Sequence, residues 1–229
     1  MRKSFLTLTA ILGLAFFLHA APSTRPNDRE WSSISNDYAW LESLRKAQVA
    51  PSPAAPRKQQ IQAMLANLQK IEPSYTALLD KVHDYYTRTA DPRAAHLLAR
   101  EKIILGDQYM MLSRYDRSID LYKEALVFAP DSADAKSRIA LAEGRRFISM
   151  DAFASVKAGM KEENARALVG YPREDWIKQV VQNNRAYSVW IYPKADGGAA
   201  AIYFDNGVVY HTNWNAAAPQ QAAQSPATR

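Results

Sequence analysis

The sequence predicts a mainly α-helical chain that ends in a small α+β domain. Antiparallel helical hairpins are expected first, followed by two short helices packed on a small antiparallel sheet. Apolar residues recur at helical spacing from Ile34 to about Ile148. From Phe153 onward, short runs rich in Val, Ile, Tyr and Trp alternate with turn residues, which is typical of strands. The 229 residues, 48% of them apolar, suffice for one moderate or two small domains.

Residues 1–20 have the features of a secretory signal peptide. Arg2 and Lys3 precede an apolar run from Phe5 to Leu18, and small residues follow at Ala20 and Ala21. We therefore expect a bacterial protein that is periplasmic or secreted. An uncleaved leader would act as an N-terminal membrane anchor, but the apolar run is shorter than the ~20 residues of a spanning helix. No membrane span is expected after cleavage.

Charge and cysteine content exclude several classes of function. Loss of Arg2 and Lys3 with the leader lowers the net charge from +6 to +4, and the remaining basic residues are scattered among acids. A nucleic-acid partner is therefore not expected, because such proteins concentrate their positive charge. The chain has no Cys, which excludes disulfides, thiolate metal sites and a lipidated cysteine.

Residues 21–57 are predicted to form a solvated spacer at 21–30, a short helix and a proline-rich linker. The apolar positions of the short helix are Ile34, Tyr38, Leu41 and Leu44. The linker is predicted from Pro51, Pro53 and Pro56, which lack backbone donors and favour extended neighbours.

Residues 58–149 are predicted to be helical. The first apolar face consists of Ile61, Met64, Leu65, Leu68 and Ile71. Pro73 is expected to end that helix and begin the next, whose face consists of Leu78, Leu79, Val82, Tyr85 and Tyr86. Asp91 and Pro92 predict a third helix start, because proline is tolerated in the first turn.

Helix ends are indicated by charged and capping residues. Ser113 with Asp116 predicts one helix start, and Asp131 with Asp134 predicts another, because an oxygen can accept from an orphan amide and a carboxylate favours the positive helix end. Arg145 and Arg146 then lie where cations favour the C-terminal end.

Residues 150–214 are predicted to form the α+β domain. A helix is expected at 162–169, and strands at 176–181, 187–192, 199–204 and 208–213. The strands are separated by Asn183-Asn184, Asp196-Gly197-Gly198 and Asn206-Gly207, which are turn sequences. Residues 215–229 have little to bury and are expected to be a disordered tail.

The segment 105–130 resembles a tetratricopeptide repeat (TPR), a 34-residue helical hairpin. The matching residues are Leu105-Gly106, Tyr109, Tyr122, Ala125 and Pro130. Lys102 and Ser118 depart from the family's usual Trp and Ala. Because a lone hairpin cannot bury its faces, the neighbouring helices are expected to cover it.

The C-terminal stretch resembles the small outer-membrane assembly domain called SmpA/OmlA or BamE-like. The matching residues are Phe153, Val156, Lys157, Gly159 and Met160 in the first helix and turn, Leu168, Gly170 and Pro172 in the helix exit, and Trp190, Tyr192, Ile202 and Phe204 in the strands. Lys161 replaces the usual Thr, so the side-chain cap of the second helix is expected to be missing. The resemblance implies an envelope protein that acts by contact with other proteins.

The TPR resemblance also implies which residues face a partner-binding groove. Carried over from the family, these are Arg100, Ile103, Asp107, Met110, Met111, Ser137, Arg138 and Leu141. Clamps for a terminal carboxylate use Lys and Asn where this chain has Ile103 and Asp107, which disfavours that mode. Met110 and Met111 fit an adaptable apolar contact. Alternatively, neighbouring helices bury both methionines.

Sequence patterns for catalysis and cofactors are missing. His83, His96 and His211 lack the spacing of a helical zinc site, and no phosphate loop, dinucleotide fingerprint or nucleophile elbow is present. We therefore predict no catalytic residues, metal or cofactor, and a protein or peptide partner in the cell envelope. The alternatives are an envelope hydrolase that uses carboxylates of the C-terminal domain, such as Glu162, Glu163, Asp196 and Asp205, or a membrane-anchored form of the binding module.

Overall fold

A computed structural model of the protein describes residues 27–48 and 57–218. Within these ranges it contains seven α-helices followed by one four-stranded antiparallel sheet. This confirms the predicted combination of helices and a C-terminal antiparallel sheet. The predicted signal peptide, most of the predicted spacer, the prolines of the linker and residues 219–229 lie outside the described residues.

Five helices form the N-terminal part. Their bounds are α1 (Asp28–Ala47), α2 (Arg57–Thr89), α3 (Pro92–Met111), α4 (Tyr115–Phe128) and α5 (Ala133–Arg146). The ion pairs that join α1 to α2 are Glu30–Arg88 and Asp37–Lys81. Because residue numbers rise along one helix as they fall along the other, α1 and α2 are antiparallel. The pairs Asp28–Arg93 and Glu42–Arg100 make α1 and α3 parallel.

The contact between α1, α2 and α3 combines an apolar core with a buried carboxylate. Ile34, Leu41 and Val82 are among the fully buried residues of that core. Glu101 of α3 is only 1% exposed. Its carboxylate accepts from the Tyr38 hydroxyl at 2.7 Å and from both terminal nitrogens of Arg45 at 2.9 and 2.6 Å. Burial and the hydrogen bond to Glu101 raise the pKa of the Tyr38 hydroxyl.

Pro73 lies inside α2, so the prediction that it ends one helix and begins another is wrong. Proline in a helix interior costs about 3 kcal/mol, because it removes a hydrogen bond and crowds the preceding turn. Ile71 and Leu78, on either side of the proline, are nevertheless buried in the same core against α1 and α3. Packing on both sides of Pro73 therefore outweighs the local preference for a break.

Three predicted boundaries also need correction. α1 begins at Asp28, inside the predicted spacer, and runs for 20 residues, so it is not a short helix. The N-cap of α4 is Arg114, without a side-chain cap hydrogen bond, and not Ser113, whose amide donates to the Met110 carbonyl at the end of α3. The cap of α5 is Ser132, whose hydroxyl accepts from the Ala135 amide at 3.2 Å, and not Asp131. Arg145 and Arg146 do lie in the last turn of α5, as predicted.

The hairpin of α3 and α4 is closely packed around Gly106. A Cβ atom added at Gly106 would lie 2.8 Å from Cδ1 of the fully buried Tyr122 and nearer still to its Cε1. Ala125 is also fully buried and packs with Ala99 of α3 and Ala135 of α5. Small side chains at these positions therefore allow three successive helices to approach each other closely.

The C-terminal part consists of two short helices and the sheet. Its elements are α6 (Met150–Ala154), α7 (Glu162–Val169), β1 (Ile177–Gln182), β2 (Arg185–Pro193), β3 (Ala199–Asp205) and β4 (Val208–Ala216), with a 3₁₀ turn at Glu174–Trp176. The strand order is β1-β2-β3-β4. Asn183-Asn184 and Asn206-Gly207 have positive φ at both residues, which confirms the predicted hairpin turns.

The strands differ from the predictions mainly at their ends. Trp176 belongs to the 3₁₀ turn, and β1 begins one residue later. β4 extends to Ala216, so Asn215 and Ala216 belong to the sheet and not to the predicted tail. Ala216 pairs with Ala199 at the start of β3. Local composition does not predict this pairing, because the two residues are far apart in the sequence.

One face of the sheet carries the second core. Trp190, Ile202 and Phe204 pack with Phe153 of α6 and Ala165 of α7. The aromatic rings of Trp190 and Phe204 have centroids 4.7 Å apart. All members of this buried cluster are apolar or aromatic, so burial of apolar surface holds α6 and α7 on the sheet.

The turn before α7 is joined to β4 by backbone hydrogen bonds. The Gly159 amide donates to Val209 at 2.8 Å, and the Val209 amide donates to Met160 at 2.8 Å. The Glu162 amide at the start of α7 donates to the Gly207 carbonyl at 2.8 Å. Lys161 makes no side-chain cap, as predicted, and a carbonyl of the β3–β4 turn satisfies this helix start instead.

Candidate partner-binding surface

The predicted groove residues divide between two separate cavities. The first, which we call the hairpin groove, is about 680 Å³ in volume and lies between α3, the α4–α5 connection and α5. Arg100, Ile103, Asp107 and Arg138 line it. The second cavity, of about 1020 Å³, lies between the helical part and the sheet, and Met110 and Met111 line it. Ser137 and Leu141 line neither cavity.

A hydrogen-bonded cluster around Asp107 forms one wall of the hairpin groove. The Tyr122 hydroxyl donates to Asp107 Oδ1 at 2.8 Å. Arg138 of α5 forms an ion pair with the same carboxylate and donates from Nε to Asp134 Oδ1 at 3.0 Å. Burial and the hydrogen bond to Asp107 raise the pKa of Tyr122. The cluster therefore joins α3, α4 and α5 and fixes the orientation of the Arg138 guanidinium.

Arg100 lies at the other end of the groove and is shared with α1. Its guanidinium is 3.1 Å from Glu42 Oε2 and lies 5.5 Å from the centre of the Tyr38 ring. The adjacent Glu101 also contacts α1, through Arg45 and the Tyr38 hydroxyl. The contacts of Arg100 and Glu101 thus hold α1 against α3 beside the groove.

The two methionines have different environments. Met110 packs against Ile119, Tyr122 and Ala142, so it is partly buried between α4 and α5. Met111 is 52% exposed. Of the two alternatives drawn from the sequence, burial by neighbouring helices therefore describes Met110, whereas Met111 keeps an exposed apolar surface at the second cavity.

Ser137 and Leu141 of α5 line neither cavity. The Ser137 hydroxyl donates to the backbone carbonyl of Asp134 at 2.9 Å, within its own helix. Leu141 is 48% exposed. The eight predicted residues therefore do not line one continuous cavity, because the hairpin groove contacts the start of α5, at Asp134 and Arg138, and the second cavity contacts its end, at residues 144–146.

Several groove residues were missing from the sequence-based set. His96, Asp131 and Asp134 also line the hairpin groove. His96 could have been found, because it lies one helical turn before Arg100 on the same face of α3. Asp134 could have been found in the same way, because it lies one turn before Arg138 in α5. Asp131 could not, because its position depends on how the α4–α5 connection folds over the groove.

The carboxylates and histidines of the described residues form no group of three that could hold a metal ion. Asp205 pairs with Arg185, and Asp196 accepts from the Gly198 amide at 2.9 Å. Burial raises the pKa of Glu162, and Arg166 of the same helix opposes this effect. Asp196 and Asp205 therefore both have structural contacts.

Comparisons with protein-family models, curated proteins and solved structures give no match to this chain. None of the helices in the described ranges combines the length and apolar composition needed to cross a membrane.

Proposed function

We propose that the protein is a non-catalytic interaction module of the bacterial cell envelope that binds a peptide segment of a partner protein in the hairpin groove. This proposal rests on the volume and the lining of the hairpin groove. The groove offers about 680 Å³ bounded by three closely packed helices, with the apolar Ile103 between Arg100 and Arg138. A peptide needs such a combination of apolar contact and a few oriented polar groups.

The TPR resemblance supports this proposal. Gly106 and Ala125 lie at helix contacts, where the repeat pattern requires small residues. Tyr122 fills the space beside Gly106 and holds Asp107 through its hydroxyl. The groove between the first helices of successive hairpins is the surface that such repeats use for partners, and here α3 and α5 border it.

The C-terminal part supports a second contact with an envelope protein. Its helix pair packs on one face of a four-stranded antiparallel sheet, as the BamE-like resemblance implies. The motif residues Gly159 and Met160 form the turn that is hydrogen-bonded to β4. We propose that this domain places the helical groove within a larger envelope assembly.

Site-specific photo-cross-linking tests the groove. A benzoylphenylalanine at position 96, on the groove wall, should form a covalent adduct with a partner in intact cells. The same group at Val127, which is 73% exposed on α4 and does not line the groove, is the matched control. Arg138→Ala should reduce the adduct at position 96, because it removes the cation held by Asp107 and Asp134. Equal adduct yields at positions 96 and 127 would contradict partner binding in the hairpin groove.

Mass spectrometry of the protein recovered from the envelope tests the leader. A mature chain that starts at Ala21 or Pro22 supports export and release. A chain that retains Met1 and fractionates with membranes supports the anchored form.

A further inference from the structure

The second cavity lies at the junction between the helical part and the sheet, and we call it the junction cavity. Its walls come from the α3–α4 turn, the end of α5, the connection at 147–149, α7 and the residues that follow it. The connection is fixed, because the Ile148 amide donates to the Pro193 carbonyl at 3.0 Å. The Ser149 hydroxyl accepts from the Ala152 amide at 3.1 Å. The first bond joins the connection to the end of β2, and the second caps α6.

The junction cavity is strongly positive. Its charged lining residues are the arginines 114, 117, 145, 146, 166 and 173 and a single carboxylate, Asp116. Asp116 pairs with Arg146, and Arg173 pairs with Asp175 outside the cavity lining. Arg114 and Arg145 have no ion-pair partner among the residues that the structure describes.

The segments outside the described residues carry no acidic side chain that could balance this charge. Residues 1–26, 49–56 and 219–229 contain no Asp or Glu. Electrostatic complementarity therefore favours an anionic group from another molecule.

The size and the apolar walls of the cavity favour a peptide over a small anion. The cavity measures about 1020 Å³, which is far more than one phosphate or carboxylate group fills. Phe147, Tyr171 and Trp176 contribute aromatic surface beside the arginines. The Arg166 guanidinium lies 5.1 Å from the centre of the Tyr171 ring and donates to its hydroxyl at 3.0 Å. Mixed charged and aromatic walls suit alternating acidic and apolar side chains.

The arrangement of the arginines also favours a peptide over an extended polyanion. A nucleic acid requires a basic stripe along the surface, whereas these arginines are confined to one cavity. Planar guanidinium groups bind carboxylates through paired hydrogen bonds. We propose that the junction cavity binds an acidic, carboxylate-rich peptide segment of a partner protein. This site is separate from the hairpin groove and does not depend on it.

Fluorescence anisotropy with the purified full-length protein tests the proposal. The probe is a labelled ten-residue peptide that alternates Glu with Tyr, and its control alternates Gln with Tyr. We expect binding of the Glu peptide only. The double variant Arg114→Gln/Arg145→Gln should weaken it at least about tenfold, because each guanidinium loses a charge-assisted hydrogen bond. Neither arginine has an ion pair to lose, so circular dichroism should be unchanged.

The matched control is Arg29→Gln/Lys123→Gln, which removes the same charge from exposed positions outside the cavity. Unchanged affinity in this control supports the site. Equal weakening in both double variants would mean that only net charge matters, and it would overturn the proposal. Failure of the Glu peptide to bind would also overturn it, whether or not phosphatidylglycerol vesicles or single-stranded DNA bind instead. The photo-cross-linking adduct at position 96 tests the hairpin groove separately, because His96 lines that groove and not the junction cavity.

Discussion

A buried carboxylate lies at the centre of the contact between α1 and α3, whereas the main core of the sheet domain consists of apolar and aromatic side chains, with the buried Lys194 beside Trp214 as its nearby charged group. Glu101 holds Tyr38 and Arg45 from a position that is almost fully buried. In the sheet domain, Trp190 and Phe204 pack together, and strand register is set by backbone pairing. The long helices are thus joined by specific polar contacts in addition to an apolar core, whereas backbone pairing aligns the strands of the sheet.

The largest expected effect is at Arg45. Arg45→Ala should lower the free energy of unfolding by about 3–5 kcal/mol, because it leaves the Glu101 carboxylate buried without its cation. Urea unfolding followed by tryptophan fluorescence measures the loss. Adding Glu101→Gln should recover part of it, since no buried charge then remains.

The control for Arg45 lies in the sheet domain. Arg185 forms an ion pair with Asp205, but the Arg185 side chain is largely exposed. Arg185→Ala should therefore cost less than about 1 kcal/mol. Equal losses in the free energy of unfolding for Arg45→Ala and Arg185→Ala would show that the buried ion pair contributes no more to stability than the exposed one.

An intermediate effect is expected at Gly106. Gly106→Ala should lower the free energy of unfolding by about 1–3 kcal/mol, because the new methyl group overlaps the Tyr122 ring. Gly144→Ala in α5 is the matched control, because nothing lies within 4 Å of its added Cβ. That change should stabilise by about 0.4–1 kcal/mol through lower entropy of the unfolded chain. Thermal unfolding of both variants gives the two signs, and a stabilising Gly106→Ala would refute close packing of the hairpin.

The smallest expected effect is the pH dependence contributed by Asp91, which caps α3. The side chain and amide of Arg93 and the Tyr85 hydroxyl hold the pKa of this carboxyl well below its usual 3.8. A lowered folded-state pKa gives stability that is present above pH 3.8 and is lost as the pH falls below it. Asp91→Asn should therefore cost about 1 kcal/mol near neutral pH, and this cost should decrease steadily as the pH falls below 3.8 toward the lowered folded-state pKa.

Asp196 provides the comparison in the sheet domain. The Gly198 amide lowers its pKa, but the carboxylate lies on an exposed loop. Asp196→Asn should change stability less than Asp91→Asn at every pH. Urea unfolding of both variants at neutral and acidic pH checks the order, and a larger effect at Asp196 would reverse the comparison.

Local sequence signals located most elements but not how they meet. The hairpin turns at Asn183-Asn184 and Asn206-Gly207 were predictable, because few residue pairs tolerate positive φ at both positions. The break expected at Pro73 was wrong, because tertiary packing on α1 and α3 continues past it. Ser132 and not Asp131 caps α5. The connection before the helix determines which residue reaches its first turn, and the local sequence offered both.

The candidate site shows the same division. The TPR resemblance assigned Arg100, Ile103 and Asp107 to the groove face of α3, and all three line the hairpin groove. The resemblance could not show that Met110 and Met111 line another cavity, because that cavity exists only where the sheet domain meets the helices.

The sequence by itself determined the helical and strand segments, the turn residues and the small residues at helix contacts, since these follow from backbone preferences and side-chain periodicity. Only the tertiary structure decided that Glu101 is buried and paired with Arg45, 56 residues away along the chain. It also gathered six arginines, from residue 114 to residue 173, around one cavity. Periodicity acts within one element, whereas charge pairing and cavity formation depend on how distant elements are brought together.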